Sequence, residues 1–124
     1  MKVTELRIGN FVNVNGWFAE IAAIGYNYVD ISNGIEEHLI KELEPITLTE
    51  EWLERFGWVK SKDRSHFWHD SNLSLWFNDN GLFIESVGGK LYIKHLHQLQ
   101  NLYFALTGEE LTDKNDEKST NKLT

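Results

Sequence analysis

Asn10-Phe11-Val12-Asn13-Val14-Asn15-Gly16-Trp17-Phe18-Ala19-Glu20-Ile21-Ala22-Ala23-Ile24 is the stretch that decides the fold class. Phe11 to Val14 alternates, Asn15-Gly16 is a strong two-residue hairpin signal, and Trp17 to Ile24 reads as the returning strand. Trp17, Ala19, Ile21 and Ala23 would share one face. Phe18, Ala22 and Ile24 make the other face apolar too, so both faces are expected to be covered. Working outward, Tyr28-Val29-Asp30-Ile31 points Val29 and Ile31 inward and Tyr28, Asp30 and Ser32 outward. Asn33-Gly34 is a second tight turn into Ile35 to Ile40. The expected result is a small twisted meander, curled into a partial barrel.

Pro45 ends that run, since it cannot donate to a ladder and biases Glu44 toward an extended backbone. Thr49 is a good N-cap for a short helix, and Glu50 and Glu51 suit the positive end of its dipole. Trp52, Leu53 and Phe56 form its buried stripe, and Gly57 closes it. A second β-region follows, with Trp58-Val59-Lys60, His66 to Asp70, Leu73 to Phe77, Leu82 to Val87 and Leu91 to Ile93 as short strands. Polar or glycine turns part them, at 62–65, 70–72, 78–81 and 88–89, which predicts an antiparallel meander. Leu96, Leu99, Leu102, Tyr103 and Leu106 recur at helical spacing, with Gly108 as a stop. That helix is expected to pack on the second sheet.

The predicted class is therefore α+β: two small antiparallel sheets, a short middle helix and a C-terminal amphipathic helix. Residues 1–108 are read as one domain with lobes over 10–57 and 58–108, and 109–124 as a flexible polar tail. A chain of 124 residues can bury a sufficient core without staples. There is no Cys, which removes disulfides, thiolate metal sites and cysteine nucleophiles together. Met1 to Arg7 lacks the apolar core of a secretory leader, and no apolar run approaches the about 20 residues that span a bilayer. The expected location is the cytoplasm, with no membrane partner.

Charge is the most informative compositional feature. The net charge is −7, and nine acids stand between Glu20 and Glu54 (Glu20, Asp30, Glu36, Glu37, Glu42, Glu44, Glu50, Glu51, Glu54) against the single base Lys41. A field of one sign repels phosphate and attracts basic partners, so direct non-specific nucleic-acid binding is not expected here. One reading is a solvated face that keeps a small protein soluble. The other is a docking surface for a basic protein, with Tyr26 and Tyr28 among the acids as interface anchors.

Residue types capable of chemistry are present without a convincing arrangement. His66 and His69 bracket a strand and would point to opposite faces, the wrong geometry for zinc. His95 and His97, two apart at the start of the last helix, would not share a face. A nuclease assembled from His66, His95, His97 and Lys94 requires its geometry to be assumed entirely. Gly88-Gly89-Lys90 lacks the flanking glycines and following helix of a phosphate loop. Asn78-Asp79-Asn80-Gly81 lacks the ligand series of a calcium loop. Both read as turns. Glu36-Glu37 and Glu50-Glu51 are adjacent, unlike two acids flanking one bond, and Arg55, Lys60, Lys62 and Arg64 make a weak phosphate patch. No catalytic residue, metal ligand or cofactor is assigned.

Three blocks carry a resemblance. Leu6-Arg7-Ile8-Gly9-Asn10, Leu43-Glu44-Pro45-Ile46-Thr47-Leu48-Thr49-Glu50-Glu51-Trp52-Leu53 with Phe56-Gly57, and His97-Gln98-Leu99-Gln100-Asn101-Leu102-Tyr103-Phe104-Ala105-Leu106-Thr107-Gly108-Glu109-Glu110-Leu111 together resemble a family of small proteins from phages and prophages of Bacteroidetes. The resemblance spans most of residues 1–111 and transfers no catalytic residue. It implies a partner in an infected or lysogenic bacterium. One kind of member that suits the charge is an anti-CRISPR protein that binds the guide-loaded RNA nuclease of type VI-B systems. The expectation is thus a non-enzymatic inhibitor or modulator of a host nucleoprotein, with Tyr28, Asp30, Glu36, Glu37, Glu42 and Glu44 as its contact face. The alternatives are an accessory or structural phage protein that self-associates through Trp76, Phe83 and the last helix, and the small histidine-dependent nuclease.

Overall fold

Asn15 and Gly16 take positive φ angles, 52° and 90°, the pair of left-handed residues that a type I′ hairpin turn needs. Val14 and Trp17 consequently face each other as the last pair of β1 (Phe11–Val14) and β2 (Trp17–Ile24). The computed structural model describes residues 1–31, 36–62, 66–71, 73–86 and 88–112. The expected Asn33-Gly34 turn, residues 63–65 of the 62–65 turn and most of the 109–124 tail lie outside them.

The fold is α+β. β1, β2, β3 (Tyr28–Ile31) and β4 (Glu36–Leu39) form an antiparallel meander; after a 3-10 turn at Ile40–Glu42, β5 (Leu43–Glu44) returns to pair with β1. The sheet order is β4-β3-β2-β1-β5. Helix α1 (Glu50–Arg55) follows. A second meander then runs in order through β6 (Val59–Lys60), β7 (His66–Trp68), β8 (Leu75–Asn78), β9 (Gly81–Ser86) and β10 (Gly89–Ile93). Helix α2 (Leu96–Thr107) comes last. Local chemistry accounts for the boundaries. Thr49 Oγ1 accepts the Trp52 N–H, Asn78 Oδ1 accepts the Asn80 N–H at 2.8 Å to build the β8–β9 turn, and the 88–89 segment closes the β9–β10 hairpin. No described helix is long and apolar enough to cross a membrane.

Two compact units divide the chain: Met1–Thr47 with His95–Leu102, and Leu48–Lys94 with Tyr103 onward. In the first, Val12, Val14, Ile21, Val29, Ile31 and Leu43 are buried from one sheet face, joined by Leu6 from the N-terminal segment and Ile40 from the 3-10 turn. These units meet at Thr47–Leu48, whereas the sequence suggested lobes over 10–57 and 58–108. Helix α1 belongs with the second sheet, because the Trp58 N–H bonds the Leu53 carbonyl, His69 Nε2 lies 3.0 Å from the Phe56 carbonyl and Lys60 pairs with Glu50 at 2.8 Å.

Helix α2 also departs from expectation. Leu96, Leu99 and Tyr103 are buried, but Leu106 is 59% exposed and two polar residues, His97 and Gln100, are sealed instead. The first half of the helix docks in the first unit, not on the second sheet. Gln100 Oε1 accepts the Phe11 N–H at 2.8 Å, and its Nε2 donates to the Gly9 carbonyl at 3.0 Å. Asn101 Oδ1 accepts Asn10 Nδ2 at 2.8 Å and Arg7 Nε at 3.2 Å, while its Nδ2 donates to the Glu5 carbonyl. Tyr103, one turn on from Leu99, packs with Trp58 and His69 in the second unit. Leu111, expected in the tail, is buried.

Gln100 thus occupies both backbone groups of the Gly9–Phe11 corner. Gln100→Leu strands that N–H and C=O without partners and is expected to cost about 2 kcal/mol or more of stability. Leu106→Ala, at an exposed position, should stay within about 0.5 kcal/mol. Urea unfolding of the two variants checks this; equal midpoints would show that the corner does not depend on the glutamine.

Candidate docking face of the first sheet

Register assigns every side chain of the first sheet to one of two faces, because directly opposed residues in antiparallel strands point the same way. Opposite the core lie Phe11 and Asn13 of β1, Phe18 and Glu20 of β2, Tyr28 and Asp30 of β3, Glu37 and Leu39 of β4, and Glu44 of β5. A register shift between Ile21 and Ala23 sets Ala23 opposite Asp30. Four acids from four strands, Glu20, Asp30, Glu37 and Glu44, therefore stand on one outward face.

Asp30 and Glu37 oppose each other directly across β3 and β4. Neither has an ion pair or side-chain hydrogen bond among the described residues. Like charges at a directly opposed pair are destabilising. Folding alone gives no reason to keep them there.

The other expected contact residues are placed differently. Tyr28 is half-buried, its ring lying across Gly25 so closely that a Cβ there would collide with it. It covers its own sheet instead of anchoring a partner. Tyr26, in the β2–β3 turn, is 94% exposed. Glu42 turns inward along the chain: its Oε1 accepts the Leu39 N–H at 2.8 Å, and its Oε2 lies 3.8 Å from His38 Nδ1. Glu44 sits on β5, the opposite edge of the sheet from β4. Glu36 pairs in register with Ile31. Glu50, Glu51 and Glu54 belong to α1 in the second unit, and Glu50 is spent on Lys60. The acids from Glu20 to Glu54 are thus not one continuous group.

Two exposed aromatic residues of β2 were not anticipated, and by register they lie on opposite faces, Phe18 with the acids and Trp17 beside Val14 on the core side. Trp17 is 79% exposed and Phe18 55%, which corrects the expectation that both faces of β2 are covered. Phe18 packs edge-on against Phe11, ring centroids 6.4 Å apart. A cleft of about 470 Å³ is lined by Val14, Trp17, Ala19, Ile31 and His38, which register places on the core side of the sheet and not among the acids. The strict alternation of Phe18 with Glu20 held the signal that this side meets solvent.

The histidines serve structure. His66 stacks on Trp76 at 4.4 Å. His69 lies 4.2 Å from Trp58, its Nδ1 accepting the Ser71 N–H, so Nε2 carries the proton and donates to the Phe56 carbonyl. His95 precedes α2, and its N–H donates to Gln98 Oε1 at the helix start. Because it lies outside the helix, the helical spacing rule does not apply to it, and its ring stacks parallel to His97 at 5.8 Å. His97 is 1% exposed, with neither ring nitrogen in a hydrogen bond. Its Nε2 is 3.4 Å from Glu5 Oε2, near enough for attraction but poorly aligned. A sealed imidazole of this kind does not reach an external phosphate. Among the described residues no three metal-binding side chains converge. Compared with models of protein families, with curated proteins and with solved structures, the chain matches none.

Burial holds the His97 pKa below its ordinary 6.5, with Glu5 opposing the shift. Above that value the ring is neutral folded and unfolded. Below it the unfolded chain takes a proton that the folded ring resists, so stability falls as pH drops through about 6.5 toward the lowered folded value. His97→Leu is expected to flatten this loss between pH 7.5 and 5.5, read from urea midpoints. A slope unchanged by the substitution would place the titration elsewhere.

Proposed function

We propose that this chain is a non-enzymatic binding protein whose first sheet docks on a positively charged protein or ribonucleoprotein. The observation that carries the reading is the Asp30–Glu37 pair, two carboxylates in direct opposition with no cation paired to them among the described residues. Such a pair weakens the isolated fold and gains from a partner's lysine or arginine, the pattern expected where local stability is traded for recognition. Exposed Phe18, on the same face as the acids, supplies apolar area for such a contact. The phage-like blocks support the narrower reading of an inhibitor in an infected or lysogenic bacterium, most specifically an anti-CRISPR protein acting on a type VI-B nuclease with its guide RNA. The acidic face would meet the basic surface along which such an enzyme holds RNA.

The test separates stability from binding. Asp30→Asn and Glu37→Gln each relieve the repulsion and are expected to raise stability by about 0.2–1 kcal/mol. Combined as Asp30→Lys with Glu37→Lys, the reversal should weaken binding to guide-loaded type VI-B nuclease at least about tenfold and release its RNA cleavage. Binding of the native chain should also weaken as salt rises. Tight binding unchanged by the reversal would reject this face; no binding to that nuclease would reject the narrower reading alone.

A further inference from the structure

The β2–β3 turn and the 3-10 turn after β4 bring a different chemistry together in the first unit. The Gly25 N–H donates to the Tyr28 carbonyl at 2.8 Å and closes the β2–β3 turn around Tyr26 and Asn27. The Ile40 N–H donates to the Asn27 carbonyl at 2.9 Å and ties that turn to the Ile40–Glu42 segment. A cleft of about 410 Å³ lies there, lined by Met1, Tyr26, Asn27, Leu39, Ile40 and Lys41. Ile40 is buried and Met1 packs on the core cluster, so the core beneath fixes the apolar wall. Three other groups have no task in the fold. The Tyr26 ring is 94% exposed, and neither it nor the Asn27 amide has a ring contact or side-chain hydrogen bond among the described residues. Lys41, the single base among the nine acids from Glu20 to Glu54, forms no ion pair with any of them among the described residues.

We propose that this cleft binds a nucleotide, with the base on Tyr26, the base edge on Asn27 and the phosphate on Lys41. Each group narrows the ligand. An exposed ring offers a flat face, and stacking a base on one contributes about 1–3 kcal/mol. An amide presents a donor beside an acceptor, which matches the donor–acceptor edge of a base. An ammonium takes a phosphate as a point charge. Other occupants leave part of the cleft unmatched. A basic side chain meets Lys41 with like charge, and an apolar one desolvates Lys41 and Asn27 without giving them partners. Inorganic phosphate leaves the ring and the amide unused. The surrounding acids set a limit, because they repel an extended polyanion. The site therefore suits a single nucleotide, free or splayed from an RNA, and not a duplex. It does not rest on the acidic docking face, since Asp30 and Glu37 line no part of the cleft.

Isothermal titration of the full chain with adenosine monophosphate is expected to show saturable binding that weakens as salt rises. Adenosine lacks the phosphate and inorganic phosphate lacks the base, and each should bind at least about tenfold more weakly. Tyr26→Ala and Lys41→Ala should each lose at least about tenfold, with circular dichroism unchanged because both side chains are exposed. Tyr26→Phe keeps the ring and should keep the affinity. Asp30→Asn with Glu37→Gln should not weaken nucleotide binding, so this site and the docking face are read separately. A short oligoadenylate that binds more tightly per nucleotide than the monophosphate identifies RNA as the source, and equal affinity identifies a free nucleotide; both support the site. Titration without saturation, phosphotyrosine binding as tightly as the nucleotide, or affinity indifferent to Tyr26→Ala and Lys41→Ala overturns the proposal.

Discussion

Two amide side chains near the end of the chain hold its beginning in place. Gln100 satisfies the Phe11 N–H and the Gly9 carbonyl, and Asn101 gathers Asn10, Arg7 and the Glu5 carbonyl. Asn10 is fully buried and Gln100 nearly so, and amides so placed are costly unless every group is paired. Here they are paired with the backbone of the Gly9–Phe11 corner and with one another. Leu96 and Leu99, completely buried, contribute the larger share of stability, about 1.5–3 kcal/mol each by area. Apolar burial is non-directional, though, and would tolerate rotation or sliding of the helix. The amide contacts do not. They set which residues of α2 meet the first strand, and so where the sheet begins.

That arrangement explains why Leu6-Arg7-Ile8-Gly9-Asn10 and His97-Gln98-Leu99-Gln100-Asn101 stand out in the sequence. They are the two halves of one polar joint. Such a joint needs particular atoms at particular positions, whereas a β-strand of the first core needs only an apolar residue of suitable size.

Local signals were legible and long-range ones were not. Asn15-Gly16, Thr49 and the Asn78–Gly81 turn act within four residues, so their chemistry is complete in the sequence. The two antiparallel sheets and two helices followed from them. The open face of β2 was hidden because its outward alanines look apolar and because the shift at Ile21–Ala23 breaks simple alternation. The docking of α2 was hidden because its decisive residue, Gln100, is polar and reads as a solvent position. For the candidate face, the excess of acid from Glu20 to Glu54 was plain, but its division was not. Register alone brings Asp30 to Glu37, sends Glu44 to the other edge and leaves Glu50 beside Lys60. Tyr28 resembled an interface anchor until the glycine beneath it was placed.

Five tryptophans in 124 residues therefore divide by surroundings. Trp58 is core, fully covered and bonded through Nε1 to the Leu73 carbonyl. Trp17 stands on a sheet bearing acids, and Trp68 and Trp76 stand on the second sheet. Desolvating an indole gains similar free energy in either setting, because apolar area does not distinguish partners. Electrostatics does. Over the roughly 8 Å that charges are felt in physiological salt, unpaired carboxylates favour a cation and disfavour another acidic surface. Register decides where those charges fall, and so which exposed aromatic residue stands beside them: Phe18 shares its face with Asp30 and Glu37.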